Sequence, residues 1–215
     1  MIALNKTLNM IMDSKIVAIV RGVSSQRIVP AIRALKEGGI VCVEVTFSAG
    51  SEERSKDTLK SIALLKEEFG DSIALGAGTV LTVQNVHDAA AAGATYMISP
   101  DTNEAVIKET KKMGLISIPG AMTPTEIMTA YSCGADIVKL FPAAVLGLGY
   151  IKAIRGPITH IPMTAVGGIN AENAQSFLDA GCVGVSVGGN LVNNKLIEAG
   201  DYEAIKKLAL EYKLR

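Results

Sequence analysis

Gly134-Ala135-Asp136-Ile137-Val138-Lys139-Leu140-Phe141-Pro142 reads as a strand entered from a glycine and left at a proline. Every neighbour of Lys139 within three places is apolar except Asp136. An ammonium taken out of water is expensive, so a lysine in this setting gives up its proton or finds a carboxylate. Held neutral near pH 7, it is a nucleophile that adds to a ketone and forms a Schiff base. Two plainer readings stand beside this one: a lysine snorkelling out of a strand end, and a buried lysine–glutamate pair that serves only stability.

The same unit recurs on both sides of this run. Short β-branched stretches alternate with longer patterns at helical spacing. Strands are expected at Ile16 to Val20, Val41 to Thr46, Ile73 to Gly76, Tyr96 to Ser99, Ile116 to Ile118, Ile137 to Leu140, Met163 to Val166 and Val183 to Val187. Helices are expected near Gln26 to Glu37, Glu53 to Phe69, Val83 to Ala92, Asn103 to Met113, Pro124 to Cys133, Tyr150 to Ile154, Ala171 to Ala180 and Tyr202 to Tyr212. A short helix from about Leu4 to Met12 precedes them. Units of roughly 27 residues predict an α/β fold, a (β/α)8 TIM barrel. Glycines at Gly38-Gly39, Gly70, Gly93, Gly114, Gly134 and Gly181 supply the left-handed residue that turns each helix back toward the next strand. An open doubly wound sheet is disfavoured, because no early G-x-G-x-x-G follows a strand.

The 215 residues fit one barrel domain over 1–215, with no linker to divide them. Lys+Arg and Asp+Glu are 21 each, so no global field draws nucleic acid or an anionic membrane. The apolar runs are strand-sized, and polar residues such as Lys6, Asn9 and Asp13 break up the N-terminal segment, so neither a membrane span nor a signal peptide is expected. Cys42, Cys133 and Cys182 form no CxxC pair and fit a reducing cytoplasmic setting as core filler.

In such a barrel the active site lies where strands end and the following loops begin. Alternation sends Val41, Val43 and Val45 outward against helices and Cys42, Glu44 and Thr46 inward. Thr79 is expected on the face shared by Leu75 and Ala77, just past its strand. Val138 and Leu140 go outward, which leaves Lys139 inward with Ile137 and Phe141. Burial raises the pKa of a carboxyl such as Glu44 and a nearby ammonium lowers it, so the group is poised to shuttle protons; a plain salt bridge with Lys139 is the alternative. Val166-Gly167-Gly168-Ile169-Asn170 follows the seventh strand and opens a helix, and Val187-Gly188-Gly189-Asn190 follows the eighth and opens a short one. Glycine pairs after consecutive late strands let backbone N–H groups approach an anion, at the recurrent phosphate position of these barrels. His87 and His160 fall outside the strand ends, and no His, Asp and Glu cluster has metal-ligand spacing, so no metal is expected.

Several motifs in order carry a family resemblance: Glu44-Val45-Thr46, Gly76-Ala77-Gly78-Thr79-Val80, Ile98-Ser99-Pro100, Pro119-Gly120 with Thr123-Pro124-Thr125-Glu126, Lys139-Leu140-Phe141-Pro142-Ala143, Gly167-Gly168-Ile169 and Gly188-Gly189. Together the chain resembles the class I 2-keto-3-deoxy-6-phosphogluconate / 4-hydroxy-2-oxoglutarate aldolases. The resemblance implies a lyase needing no cofactor, in which Lys139 attacks the ketone and Glu44 moves protons. It implies a phosphorylated keto acid and pyruvate as small-molecule partners, Thr79, Pro100 and Phe141 about the pyruvate end, and a phosphate held by Gly167, Gly168, Gly188 and Gly189. It also implies a homotrimer. The chain departs from the gluconate type where Phe47 and Ser48 replace a leucine and the carboxylate-binding arginine. Arg21 is the candidate replacement, and with Val166 in place of a threonine it resembles the related 6-phosphogalactonate aldolases. Asn190 stands where a serine is common and bears on the phosphate grip. A phosphate-binding isomerase or epimerase and a non-catalytic ligand-binding barrel remain as alternatives.

Overall fold

Eight parallel strand positions close into a barrel, wrapped by helices, in a computed structural model that describes residues 2–214. The strands are β1 (Ile16–Val20), β2 (Cys42–Thr46), β3 (Ala74–Gly78), β4 (Tyr96–Ile98), β5 (Ile116–Ile118), β6 (Gly120–Ala121), β7 (Val138–Leu140), β8 (Met163–Val166) and β9 (Gly184–Val187). The ladder runs β5-β4-β3-β2-β1-β9-β8-β7-β6. β5 and β6 are two halves of one strand position, separated by Pro119, which has no N–H to give to a ladder. The first half pairs with β4 and the second with β7, where the Lys139 N–H donates to the Pro119 carbonyl at 2.8 Å. The fifth expected strand therefore carries the closure of the barrel.

The helices are α1 (Ile2–Ser14), α2 (Ile28–Glu37), α3 (Glu52–Phe69), α4 (Val83–Ala92), α5 (Glu104–Lys112), α6 (Pro124–Ser132), α7 (Ala143–Arg155), α8 (Ala174–Asp179), α9 (Asn194–Ala199) and α10 (Tyr202–Leu210). Caps mark several starts: Ser51, Thr82 and Asn103 accept from the first turns of α3, α4 and α5, and Thr123 with Glu126 forms a full capping box on α6. Three helices differ from expectation. α7 is two helical segments in line, one opening at Ala143 and a second after the kink at Gly147 (φ 78°, ψ 163°), so the helix expected near Tyr150 is the second of them and the first turn from Ala143 was not expected. α8 begins only at Ala174, after an Asn170–Asn173 turn, so the glycine pair at 167–168 does not open it. The Gly188-Gly189 pair likewise leads into a turn, in which the N–H groups of Leu191 and Val192 both donate to the Gly188 carbonyl, and α9 starts later.

Two apolar cores follow from the two faces of the strands. The outer one joins the helices to Val43, Val45, Leu75, Ala77, Val138 and Leu140. The inner one fills the lower barrel with Val17, Cys42, Tyr96, Ile98, Ile116 and Ile137, and Ile11 of α1 is part of it. Tyr96 is fully buried there, its hydroxyl donating to the Val43 carbonyl at 2.6 Å. A Cβ on Gly76 would lie 2.2 Å from that ring, so the glycine is what admits it. Of the glycines expected to turn helices back, Gly39, Gly70, Gly93, Gly114, Gly134 and Gly181 have positive φ. Gly38 does not; it is small because a Cβ would meet Ala209 at 2.4 Å.

Candidate active site

Above the inner core the barrel opens into a cavity of about 800 Å³ at the carboxyl ends of the strands. β7 brings Lys139, whose Cα partners are Gly120 on one side and Thr164 on the other. β2 brings Glu44, paired with Ile19 of β1 and Gly76 of β3. Both side chains are buried, Lys139 at 7% exposure and Glu44 at 2%. The alternation read from the sequence holds within β2 and β7, where Cys42 and Ile137 join the inner core and Val43, Val138 and Leu140 the outer one, but Val41, expected outward just before β2, packs against the inner core.

For β3 the alternation runs the other way. Leu75 and Ala77 face the helices, while Gly76 and Gly78 face inward. Thr79 still lines the cavity, and it does so because its φ of 57° places it in the left-handed region, which breaks the strand alternation. A threonine in that region is strained, and strain of this kind collects at ligand sites. Its hydroxyl accepts from Arg21 Nη2 at 3.3 Å, which ties the end of β1 to the end of β3.

The two buried ionisable groups are coupled without being bridged. Among the described residues, Glu44 Oε2 is buried with no hydrogen-bond partner, and Lys139 forms no ion pair. Burial pushes the Glu44 carboxyl above the usual glutamate range, and the positive charges of Lys139 and Arg21 pull it partly back. Burial pulls the Lys139 ammonium below the usual lysine range; Glu44 opposes this and Arg21 adds to it. A closed salt bridge, the plain alternative, is therefore not formed. The ammonium nitrogen lies 5.0 Å from the centroid of the Phe141 ring, which stands at the cavity wall. Pro100 and Val166 line the same space.

The two glycine turns differ in what demands a glycine. Gly167 and Gly168 both have positive φ, and a Cβ on Gly168 would meet Ala144 at 2.5 Å, so the chain path alone excludes a side chain. Gly188 and Gly189 have no positive φ, and a Cβ on Gly189 would meet no protein atom within 4 Å. Their small size instead keeps the cavity open above them. Among the described residues, the N–H groups of Gly168, Gly189 and Asn190 donate to no protein acceptor. Asn190 lines the cavity, and its amide donates to the Ile169 carbonyl at 2.7 Å, bracing one turn against the other. Asn170 and Asn173 lock the first turn by exchanging backbone-to-side-chain bonds at 2.9 Å each.

All twelve residues singled out from the sequence thus border one cavity, which also touches residues the sequence reading passed over. Gly78 makes room for the acid: a Cβ there would lie 2.9 Å from Glu44 Cδ. Ser186 is 2% exposed, and its hydroxyl has no hydrogen-bond partner among the described residues. Asn193, Asn194 and Lys195 close the side beyond β9. Inward spacing from Gly184 gives the only sequence signal for Ser186, and nothing short of the fold brings Lys195 here. Ser48 lies in an adjoining cleft with Arg54 and Asp57, which Arg21 also borders. His87 pairs with Glu109, and His160 packs edge-on against Tyr131; neither lines the cavity. No helix among the described residues is long and apolar enough to cross a membrane.

A family model described as "KDPG and KHG aldolase" matches residues 8–208. The chain belongs to this aldolase family. It is 37% identical over 182 residues to the 2-dehydro-3-deoxy-phosphogluconate aldolase of Treponema pallidum, covering 84% of this chain and 83% of that one. It is 32% identical over 177 residues to the 2-dehydro-3-deoxy-6-phosphogalactonate aldolase of Escherichia coli K12, with 82% and 83% covered. A solved KDPG aldolase of Legionella pneumophila, with pyruvate captured as a covalent carbinolamine, superposes with a TM-score of 0.82 at 29% identity, over 91% of this chain and 92% of that one. As an aldolase of this family the protein is a lyase.

Proposed function

We propose that the protein is a Schiff-base aldolase that cleaves a phosphorylated 2-keto-3-deoxy sugar acid into pyruvate and an aldehyde such as glyceraldehyde 3-phosphate. The observation that carries the reading is a lysine amine and a carboxyl, both desolvated and unbridged, in one open cavity. The Lys139 amine adds to the C2 ketone and gives a carbinolamine, and loss of water gives a protonated imine. Glu44 supplies and accepts protons in those steps, then takes the C4 hydroxyl proton as the C3–C4 bond breaks. The electron pair of that bond flows into the imine and leaves an enamine. Protonation at C3 and hydrolysis release pyruvate and restore the amine. Arg21, fixed by Thr79, meets the substrate carboxylate in place of the arginine replaced by Ser48.

The same Arg21 geometry and the apolar Val166 at the cavity wall favour the C4 epimer of galactonate type as a second reading, and the Escherichia coli relative carries that name. A homotrimer is supported by exposed Met122, Met128, Tyr131 and Val145, and sedimentation velocity tests it. Three free thiols fit a cytoplasmic setting. The decisive experiment for the chemistry is borohydride reduction in the presence of pyruvate. An adduct mapped to Lys139, absent in Lys139→Met, is expected; a folded wild type that traps none removes the mechanism.

A further inference from the structure

Three cations line the cavity, Arg21, Lys139 and Lys195, against one carboxylate, Glu44. Arg21 and Lys139 are accounted for at the end where Glu44 sits. Lys195 lies on the side of the Gly188-Gly189 turn, with Asn193 and Asn194 beside it in the wall. Its backbone is fixed: Asn193 Oδ1 accepts the Lys195 N–H at 3.1 Å and the Leu196 N–H at 3.4 Å. The adjacent Asn194 amide donates to the Arg21 carbonyl at 2.9 Å, which ties this segment to the other cationic rim. Most lysines of α3, α5 and α10 near an acid form ion pairs, as Lys56, Lys66, Lys108 and Lys206 do. The Lys195 ammonium, among the described residues, makes neither an ion pair nor a hydrogen bond. Lys195 borders the cavity along with glycines 188 and 189, which are demanded by neither backbone angle nor crowding, and with Asn190; the N–H groups of Gly189 and Asn190 donate to no acceptor among the described residues.

We propose that Lys195 is a specificity residue that binds the terminal phosphate monoester of the substrate, acting from the solvent side while the Gly188–Asn190 backbone acts from below. The inference rests on the aldolase reading given above, and it names the group that makes a phosphorylated acid a better substrate than its unphosphorylated counterpart. A lysine suits this task as a point charge on a long stem, reaching an oxygen that moves as the aldehyde product leaves.

The test compares wild type, Lys195→Met and Lys195→Arg on phosphorylated and unphosphorylated 2-keto-3-deoxygluconate, by coupled pyruvate release. Losing one charge-assisted contact predicts that the kcat/KM ratio, phosphorylated over unphosphorylated, falls about tenfold in the Met variant, through KM, and recovers in the Arg variant. An unchanged ratio, or equal losses on both substrates, overturns the proposal. Calorimetric binding of glycerol 3-phosphate separates this failure from that of the parent reading. Weaker binding in Lys195→Met, alongside a wild type that traps no pyruvate, leaves Lys195 a phosphate ligand and removes only the aldol chemistry. Equal binding in both proteins removes Lys195 from the site even where the chemistry stands.

Discussion

Replacing Gly78 by alanine tests whether the position of one carboxyl sets the rate. Gly78 is the Cα partner of Thr46, and an added Cβ would lie 2.8 Å from Thr46 Cγ2, 2.9 Å from Glu44 Cδ and 3.0 Å from Glu44 Oε1. Thr46 is buried with its hydroxyl donating to the Val20 carbonyl, so the acid is the group with open space to move into. Ordinary contact starts near 3.4 Å, so Glu44 Cδ must retreat by 3.4 − 2.9, or about 0.5 Å. A misplacement of 1 Å costs about a hundredfold in rate, so this shift predicts a roughly tenfold loss of kcat. Overpacking also destabilises by about 1–3 kcal/mol, which in a chain of this size lowers Tm by roughly 2–4 °C for each kcal/mol. Tyr96→Phe separates the two effects: it removes a buried hydrogen bond, costs about 1 kcal/mol, and leaves the Glu44 carboxyl unobstructed. The assay is kcat by coupled pyruvate release well below both midpoints, with Tm from calorimetry. A Gly78→Ala protein that is destabilised as expected yet turns over at the wild-type rate would refute the claim that Glu44 must be held where it is.

Two further outcomes follow from the same geometry. The double variant Glu44→Gln/Lys139→Met removes two desolvated charges and is expected to be inactive but more stable near neutral pH by about 1–4 kcal/mol. Because folding raises the Glu44 pKa, its favourable contribution is complete below its usual 4.5 and is lost as pH rises through the higher folded value, so the variant's advantage must grow upward through the acidic range; a Tm difference that is flat or shrinks there contradicts the assignment. Gly189→Ala, which meets no protein atom, is expected to keep its stability within about 0.5 kcal/mol while KM for the phosphorylated acid rises, whereas Gly168→Ala, with φ of +74° and Ala144 at 2.5 Å, is expected to lose stability outright. Equal Tm losses in the two variants would erase the distinction drawn between the turns.

What the sequence could disclose depended on whether local periodicity or distant closure decided a residue's place. Lys139 and Glu44 were legible because each is flanked in its strand by apolar residues, Val138 and Leu140 or Val43 and Val45, so the pleat alone fixes their side. β3 misled for the opposite reason. Ala74, Gly76 and Gly78 are all small, and the sequence gives no sign that the vacant face is the inner one, filled from across the barrel by the Tyr96 ring and the Glu44 carboxyl. Thr79 was assigned to the cavity from the wrong face, and arrives there through a left-handed backbone that no pattern of hydrophobicity encodes. Lys195 lay out of reach altogether, since only the register of β9 beside β1 brings the chain after Gly189 across from Arg21.

The glycines make the general point most sharply, because one letter stands for three physical demands. At Gly168 it answers a backbone angle, at Gly76 and Gly78 it yields volume to a neighbour's side chain, and at Gly189 it meets no requirement of the folded chain itself. A residue that costs conformational entropy and returns nothing to the fold needs some other reason to be there. In this barrel that residue borders the cavity with N–H groups and a lysine that find no acceptor or counterion among the described residues, and a bound anion is the one partner that answers all three at once.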